Sequence, residues 1–460
     1  MGLLHTFVAA ICMVAILLPP FSIPEGFGKD HSLPHVSPKM ERPEFWVHKL
    51  QNPTGILLTP DQILKMNNEN LDRPGSYLCR VKDLKDEWTR EEVLGLLKED
   101  WQGFGETSEV QFGRDGRPLS QFFWKELKEN IDEVAIKERI WPRLGLIVKR
   151  TNIRVFPTGE LSLHSPASVE FDRFQHSMIS PGSLVGIFHL SKDRHWAYLQ
   201  APFIRGWVPI DALGIAGDKK IAVDYEDAKE RLMITGSFVT IFRDPSLQQE
   251  AFVAQMGSSF PIIHPPGKDE PAYVVQIPSR ERDGLLSLQK GYVSKVKDVH
   301  PGLLPFTQAN VADQAFEMLR QPYGWGEMSG GRDCSRLIMD VFATIGIRMP
   351  RNSMLQAQVG IEQAQVEGKT IQEKKTVLDR VLPLVTTLRL PDHIMLYLGK
   401  HKGRYYAIHS IWGFQKKGRS GPVLQKVGKV VVSDLSLGEE GLNGSLLERI
   451  TDIRVIGPPD

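Results

Sequence analysis

Gly330-Gly331-Arg332-Asp333-Cys334-Ser335-Arg336-Leu337-Ile338 decides how the rest of this chain is read. The two glycines read as a turn and Asp333 as a helix N-cap. Leu337, Ile338, Val341, Phe342 and Ile345 form the apolar stripe of that helix, and Gly346 stands where it stops. A thiol in the first turn faces unpaired backbone N–H groups and the positive end of the helix dipole. Both favour the thiolate, the form that attacks carbonyls. The competing reading of Cys334 is a small buried core residue.

About sixty residues downstream lie Pro391-Asp392-His393-Ile394-Met395-Leu396-Tyr397-Leu398-Gly399 and Arg404-Tyr405-Tyr406-Ala407-Ile408-His409-Ser410, joined by Lys400-His401-Lys402-Gly403. Two β-rich runs around a short polar loop read as a hairpin with a three-residue turn and a bulge. A turn centred on His401 places His393 opposite His409, whereas a loop of even length places Ser410 there instead. A cysteine at a helix start, a histidine on a facing strand and a polar group behind it make the papain-like arrangement. His393 would take the thiol proton and later protonate the leaving amine, while His409 would hold the imidazole in its working tautomer.

The segment from about 305 to 455 resembles the NlpC family of papain-like bacterial cell-wall peptidases. The matching residues are Gln321-Pro322-Tyr323-Gly324-Trp325-Gly326, Asp333-Cys334-Ser335, Met349-Pro350-Arg351-Asn352-Ser353 with Gln356, His393 with Tyr397-Leu398-Gly399, and His409. The resemblance implies a Cys334, His393, His409 catalytic set and hydrolysis of the γ-D-glutamyl–diaminopimelate amide of peptidoglycan stem peptides. It further implies that Tyr323, Asp333, Ser335, Asn352 and Ser353 bind substrate, and that the Cys334 N–H belongs to an oxyanion hole. Asp333 can also be read simply as a helix cap. Two positions depart from the family pattern, with Glu327 and Arg336 standing where glycine is usual, which implies a narrower or differently charged groove. Asn352 replaces the aspartate with which relatives that recycle soluble stem peptides pair a free amine. The loss of that charge favours a substrate still attached to the wall.

The chain has 460 residues, 41% of them apolar and 24% charged, which suits about three globular domains. Lys+Arg 56 against Asp+Glu 55 gives no footprint for nucleic acid. The three cysteines, Cys12, Cys79 and Cys334, make neither a disulfide framework nor a zinc site, no metal or cofactor is implied, and Cys79 reads as a buried bystander. Phe7 to Leu18 is an apolar run of signal-peptide length, without a basic n-region or a clean cleavage site, and no later stretch is apolar enough to span a membrane. Export to the periplasm or medium and a monomer without an integral membrane segment are expected.

The fold class expected is α+β and multidomain: a papain-like catalytic domain behind two small SH3-like β-barrels and a helical N-terminal segment. Residues 1–22 read as the signal peptide and 23–43 as a flexible lead-in. Residues 44–145 read as mostly helical, with capping signals at Thr59-Pro60-Asp61-Gln62 and Thr89 to Glu92, and resemble the helical clip ahead of the SH3-like modules in some NlpC-type enzymes. Residues 146–214 and 215–304 read as two barrels, each with a Gly-aromatic-Val ending, at Gly206-Trp207-Val208 and Gly291-Tyr292-Val293. Their only expected helix runs from Tyr225 to Arg231. Trp196, Tyr198 and Trp207 form either a peptide-binding patch or the barrel core. Residues 305–460 are the catalytic domain. Besides wall hydrolysis, a recycling peptidase for free L-Ala-γ-D-Glu-diaminopimelate, a non-catalytic wall-binding protein and an acyltransferase remain as alternatives.

Overall fold

Local capping chemistry sets the N-terminal helices. The computed structural model describes residues 33–458 apart from 74, 269, 296–297 and 419–420. Helix α1 (Pro43–Val47) is short, and α2 (Pro60–Leu71) starts at a box in which Thr59 and Gln62 bond each other's backbone N–H. Thr89 and Glu92 close the same box ahead of α3 (Arg90–Phe104), and Ser120 caps α4 (Gln121–Ile131). The apolar run Phe7 to Leu18 lies outside the described residues; among those described, no helix is long and apolar enough to cross a membrane.

The stretch 44–145 does not pack as one helical unit. Trp46, Leu58 and Ile63 enter the core of the C-terminal domain, whereas Val93, Leu97, Trp124, Leu127 and Ile131 pack against the first β domain. Leu33, Val36 and Met40 are also buried in the C-terminal core, so the lead-in is docked from Leu33 onward. Its proline and charge content reads as a linker, but three apolar side chains among them are enough to anchor it.

Seven strands between Arg143 and Ile215 form one sheet, and seven between Arg231 and Pro301 form another. Helix α5 (Lys219–Glu226) joins them. It lies earlier than expected because Asp218 supplies its cap and Arg231 already opens a strand. Tyr198 and Trp207 are fully buried with Phe156 and Phe174 under α3 and α4, and Trp196 packs beside them, so these aromatics fill a core. Asp100 on α3 accepts from Tyr198 Oη at 2.6 Å and from Arg205 Nη2 at 2.9 Å, pinning the helices to the first β domain.

The C-terminal domain contains α6 (Gln308–Glu317), α7 (Cys334–Ala343), α8 (Ser353–Gln356), α9 (Ile371–Leu378) and α10 (Leu446–Arg449). Its strands are β1 (Ile361–Gln365), β2 (Thr386–Leu390), β3 (His393–His401), β4 (Arg404–Gly418), β5 (Gly421–Asp434) and β6 (Asp452–Val455). They form one antiparallel sheet in the order β1-β6-β2-β3-β4-β5, against which α7 lays its apolar face.

The β3–β4 hairpin departs from the expected register. It closes through two residues, Lys402 and Gly403, with φ of 49° and 78°, and sets His401 opposite Arg404. An irregularity between Tyr397 and Gly399 then shifts the pairing by one, so Leu396 faces Ile408. The three-residue turn and the direct pairing of His393 with His409 are therefore both wrong. Continuing the observed register puts His409 opposite Met395, one diagonal step from His393 on the same face of the sheet.

Candidate active site

Cys334 is the first residue of α7, and Asp333 is its N-cap, accepting the Arg336 N–H at 2.9 Å. Leu337, Ile338, Val341 and Phe342 are fully buried and hold the helix to the sheet. Cys334 itself is buried, and its sulfur accepts the backbone N–H of Ile394, the residue after His393. That contact ties the helix start to the start of β3. Burial, and next the Asp333 carboxylate, push the thiol up to about 12, while the Ile394 N–H and Arg351 pull it down. The helix terminus does not outweigh desolvation here, and burial favours the neutral thiol.

His393 opens β3 directly after the turn Pro391-Asp392, in which Asp392 has φ of 61° and Leu390 pairs with His393. His393 Nε2 lies 2.6 Å from His409 Nδ1, with ring centroids 4.9 Å apart. His409 Nε2 lies 2.8 Å from Ser433 Oγ. Ser433, on β5, extends the pair to a chain of three and was missed in the sequence, where nothing marks a serine that becomes relevant only once β5 pairs with β4. Burial, and then the Arg449 charge, hold His393 down to about 3; burial and His393 hold His409 well below its ordinary value.

Among the expected substrate residues, Tyr323 is half-buried beside Cys334, its phenol raised first by burial and next by the charge a Cys334 thiolate would carry, with Phe171 at 6.4 Å between ring centroids. Asp333 and Ser335 are buried and already engaged. Arg351 donates to Asp333 Oδ2 at 2.7 Å and Oδ1 at 3.1 Å, and to Ser335 Oγ at 2.9 Å, while Ser335 Oγ donates to Asp333 Oδ1 at 3.1 Å. Asn352 is exposed and caps α8, accepting the Leu355 N–H at 2.9 Å, and Ser353 is the first residue of that helix. Gln356 Nε2 donates to Ser335 O and Pro350 O, both at 2.8 Å, holding α8 to the nucleophile helix.

Glu327 and Arg336 do not line a groove. Both are buried and bonded to each other, with Arg336 Nη1 at 3.0 Å from Glu327 Oε2. Glu327 also accepts from Ser177 Oγ at 2.7 Å and the Met178 N–H at 3.1 Å in the first β domain, and from Gln255 Nε2 at 2.8 Å in the second. Asp340, one turn along α7, takes Arg336 at 2.6 Å and Arg332 at 2.7 Å. Arg332 in turn donates to Ser237 Oγ and O at 2.9 and 2.7 Å. The two departures from the family pattern are thus one feature, which joins both β domains to the nucleophile helix. Glu327 sits at φ 66°, a left-handed conformation that glycine adopts freely and that costs another residue about 1 kcal/mol.

The first β domain also reaches over the site. Phe171 touches Tyr323, Trp325 and Trp412, Trp325 Nε1 donates to Asp172 O at 3.1 Å, and Trp412 Nε1 donates to Glu170 Oε2 at 3.2 Å. Among the described residues no cluster of His, Cys, Asp or Glu is placed to hold a metal.

A helix-borne cysteine packed against an antiparallel sheet, two neighbouring strands of which each carry one histidine of a bonded pair, defines the papain-like class. Within that class, residues 320–410 match the NlpC/P60 family and residues 163–209 match the SH3 domain of SH3b1 type, so the chain carries an NlpC/P60 domain behind an SH3 domain. Among solved structures it is similar to an NlpC/P60 endopeptidase from Photobacterium damselae subsp. piscicida, at 18% identity and a TM-score of 0.71, over 95% of this chain and 98% of that one. A second, an NlpC/P60 family protein from Bacillus cereus, gives 16% identity and a TM-score of 0.47 over 68% of this chain and 100% of that one. No curated protein matches the sequence.

Proposed function

We propose that the chain is a cysteine endopeptidase that cleaves the γ-D-glutamyl–diamino acid amide of peptidoglycan stem peptides, acting on wall-attached stems after export as a monomer. The observation that carries this reading is the hydrogen-bonded series His393–His409–Ser433, which begins one residue before Ile394, whose N–H the Cys334 sulfur accepts. His393 spends Nε2 on His409, which leaves Nδ1 to accept the thiol proton. With that assignment each ring donates onward, His393 Nε2–H to His409 Nδ1 and His409 Nε2–H to Ser433 Oγ.

Because burial keeps both the thiol and the imidazole neutral, the proton leaves Cys334 as the sulfur attacks rather than beforehand. The carbonyl oxygen becomes an oxyanion at the α7 N-terminus, where the Cys334 N–H is a donor. Collapse breaks the C–N bond while His393 returns the proton to the leaving amine. A thioester and a free amine result. Water, deprotonated by His393, then attacks the thioester and releases a γ-D-glutamyl carboxylate and the thiol.

The two β domains belong to the working enzyme in this reading, the first through Phe171 over the cleft and both through Glu327. The test is mass spectrometry of fragments from purified sacculi and from free stem peptides. Wild type is expected to produce a free γ-D-glutamyl carboxyl group and a new amine from sacculi, and folded Cys334→Ala neither. Cleavage of free peptides alone would leave the recycling peptidase as the correct reading, and a new amide or ester in place of the carboxyl would make the protein an acyltransferase.

A further inference from the structure

Arg449 closes α10, just ahead of β6, and its half-buried guanidinium is the one charge that acts appreciably on His393. Its neighbours hold its backbone firmly. Ser445 and Glu448 form a capping box at the start of α10, Leu446 and Leu447 are buried in the core, and Lys374 Nζ donates to Glu448 O at 2.6 Å and Ile450 O at 2.8 Å. Thr451 N then bonds Arg389 O at 2.8 Å on β2, immediately before the turn that delivers His393. Arg449 is therefore fixed beside that turn by both of its flanking segments.

What distinguishes Arg449 from the arginines of the neighbouring sheet is that no carboxylate is bonded to it among the described residues. Arg389 pairs with Asp452 at 3.1 Å, Arg404 with Asp434 at 2.7 Å and Arg454 with Glu362 at 2.6 Å. Among the described residues no hydrogen bond or ion pair engages the Arg449 side chain, and Asp392 attracts it without contact. Burial of a cation without a partner is costly, and burial does weaken its hold on the proton. A cation kept in this state on a rigid segment is preorganised for an anion that arrives from outside.

The reaction supplies such an anion in one place. His393 protonates the leaving amine, so the leaving residue stands on the His393 side of Cys334, which is the side Arg449 occupies. We propose that Arg449 binds a carboxylate of the leaving diamino acid, and so makes the enzyme select the residue on the amine side of the scissile bond. This inference rests on the proposed endopeptidase reading. A diaminopimelate residue offers two carboxylates, one beside the new amine and one at the far end of its side chain; lysine in the same place keeps only the first.

The experiment compares wild type, Arg449→Gln and Arg449→Lys on three peptides. These are L-Ala-γ-D-Glu-diaminopimelate, its L-lysine counterpart, and the diaminopimelate peptide amidated at the carboxyl next to the scissile nitrogen, each carrying N-acetylmuramic acid on L-Ala as in the wall-attached stem. Thermal unfolding and circular dichroism check that each variant is folded. The expected result is that Arg449→Gln lowers kcat/KM on the diaminopimelate peptide by roughly 10- to 100-fold, with Arg449→Lys in between. The loss should vanish on one of the other two peptides, and which one identifies the carboxylate. An equal loss on all three would overturn the proposal, because Arg449 would then act through His393, and so would no loss on any. A wild type that cleaves none of the three removes the endopeptidase reading and this inference with it.

Discussion

Replacing Glu327 by glutamine perturbs the one carboxylate that all three sheet-bearing regions share. The side chain keeps its shape and the backbone its φ of 66°, so the change isolates charge. Removing one partner of a buried ion pair costs about 3–5 kcal/mol. Arg336 keeps Asp340 at 2.6 Å and Arg351 keeps Asp333 at 2.7 Å, whereas Arg150 is left with Gln255 at 3.1 Å. Only one arginine is stripped of its counter-charge, which places the expected loss near the lower end, about 3 kcal/mol. The assay is urea unfolding followed by tryptophan fluorescence, reading the transition that also abolishes activity. The pH dependence supplies a second check. The arginines around Glu327, Arg336 and Arg351 foremost, outweigh its burial and hold the carboxyl below the ordinary 4.5. Its contribution is therefore full above the unfolded value and lost as pH falls through the depressed folded one. Wild type should lose stability on acidification below pH 4.5 more steeply than Glu327→Gln. Equal stability of the two proteins at neutral pH, within about 0.5 kcal/mol, would refute the reasoning.

Three other outcomes are expected from the site. With His393 held to about 3 and the thiol pushed to about 12, the acid limb of kcat/KM should fall well below the ordinary imidazole value of 6.5; an acid limb at or above it would mean that burial does not hold His393 down. Ser433→Ala removes the acceptor for His409 Nε2–H and should lower kcat about tenfold with little change in KM, measured by steady-state kinetics on a stem peptide; unchanged kcat would take Ser433 out of the relay. Asn352→Asp should leave thermal stability unchanged, since aspartate caps α8 as well as asparagine does. The added charge should raise the ratio of free-peptide to sacculus cleavage, and an unaltered ratio would separate Asn352 from substrate selection.

What was legible in the sequence was the chemistry of near neighbours. Thr59 with Gln62, Thr89 with Glu92 and Asp333 ahead of Cys334 are contacts made within one turn, and each forms as the residue types dictate. Register over sixteen residues was not. One fewer turn residue and one irregularity near Gly399 displace the β3–β4 pairing, yet His393 and His409 still meet because diagonal neighbours share a face. Glu327 and Arg336 were legible as departures but not as a pair, because their partners Arg150, Ser177 and Gln255 arrive from two other domains. The pull of burial on the thiol was not legible for a related reason. A helix N-terminus is visible in sequence, whereas the burial that outweighs it depends on the whole sheet. Ser433 and Arg449 carry no local signal and acquire meaning only from strand pairing and the connection after α10.

The most direct test of the account is rapid acid quenching of the enzyme with a γ-D-glutamyl stem peptide, coupled to mass spectrometry of the peptide that contains Cys334. The account predicts an L-alanyl-γ-D-glutamyl thioester on Cys334 that forms before product accumulates and is absent from His393→Ala. Product released at the wild-type rate with no acyl group on Cys334, or with the acyl group on another residue, would contradict it.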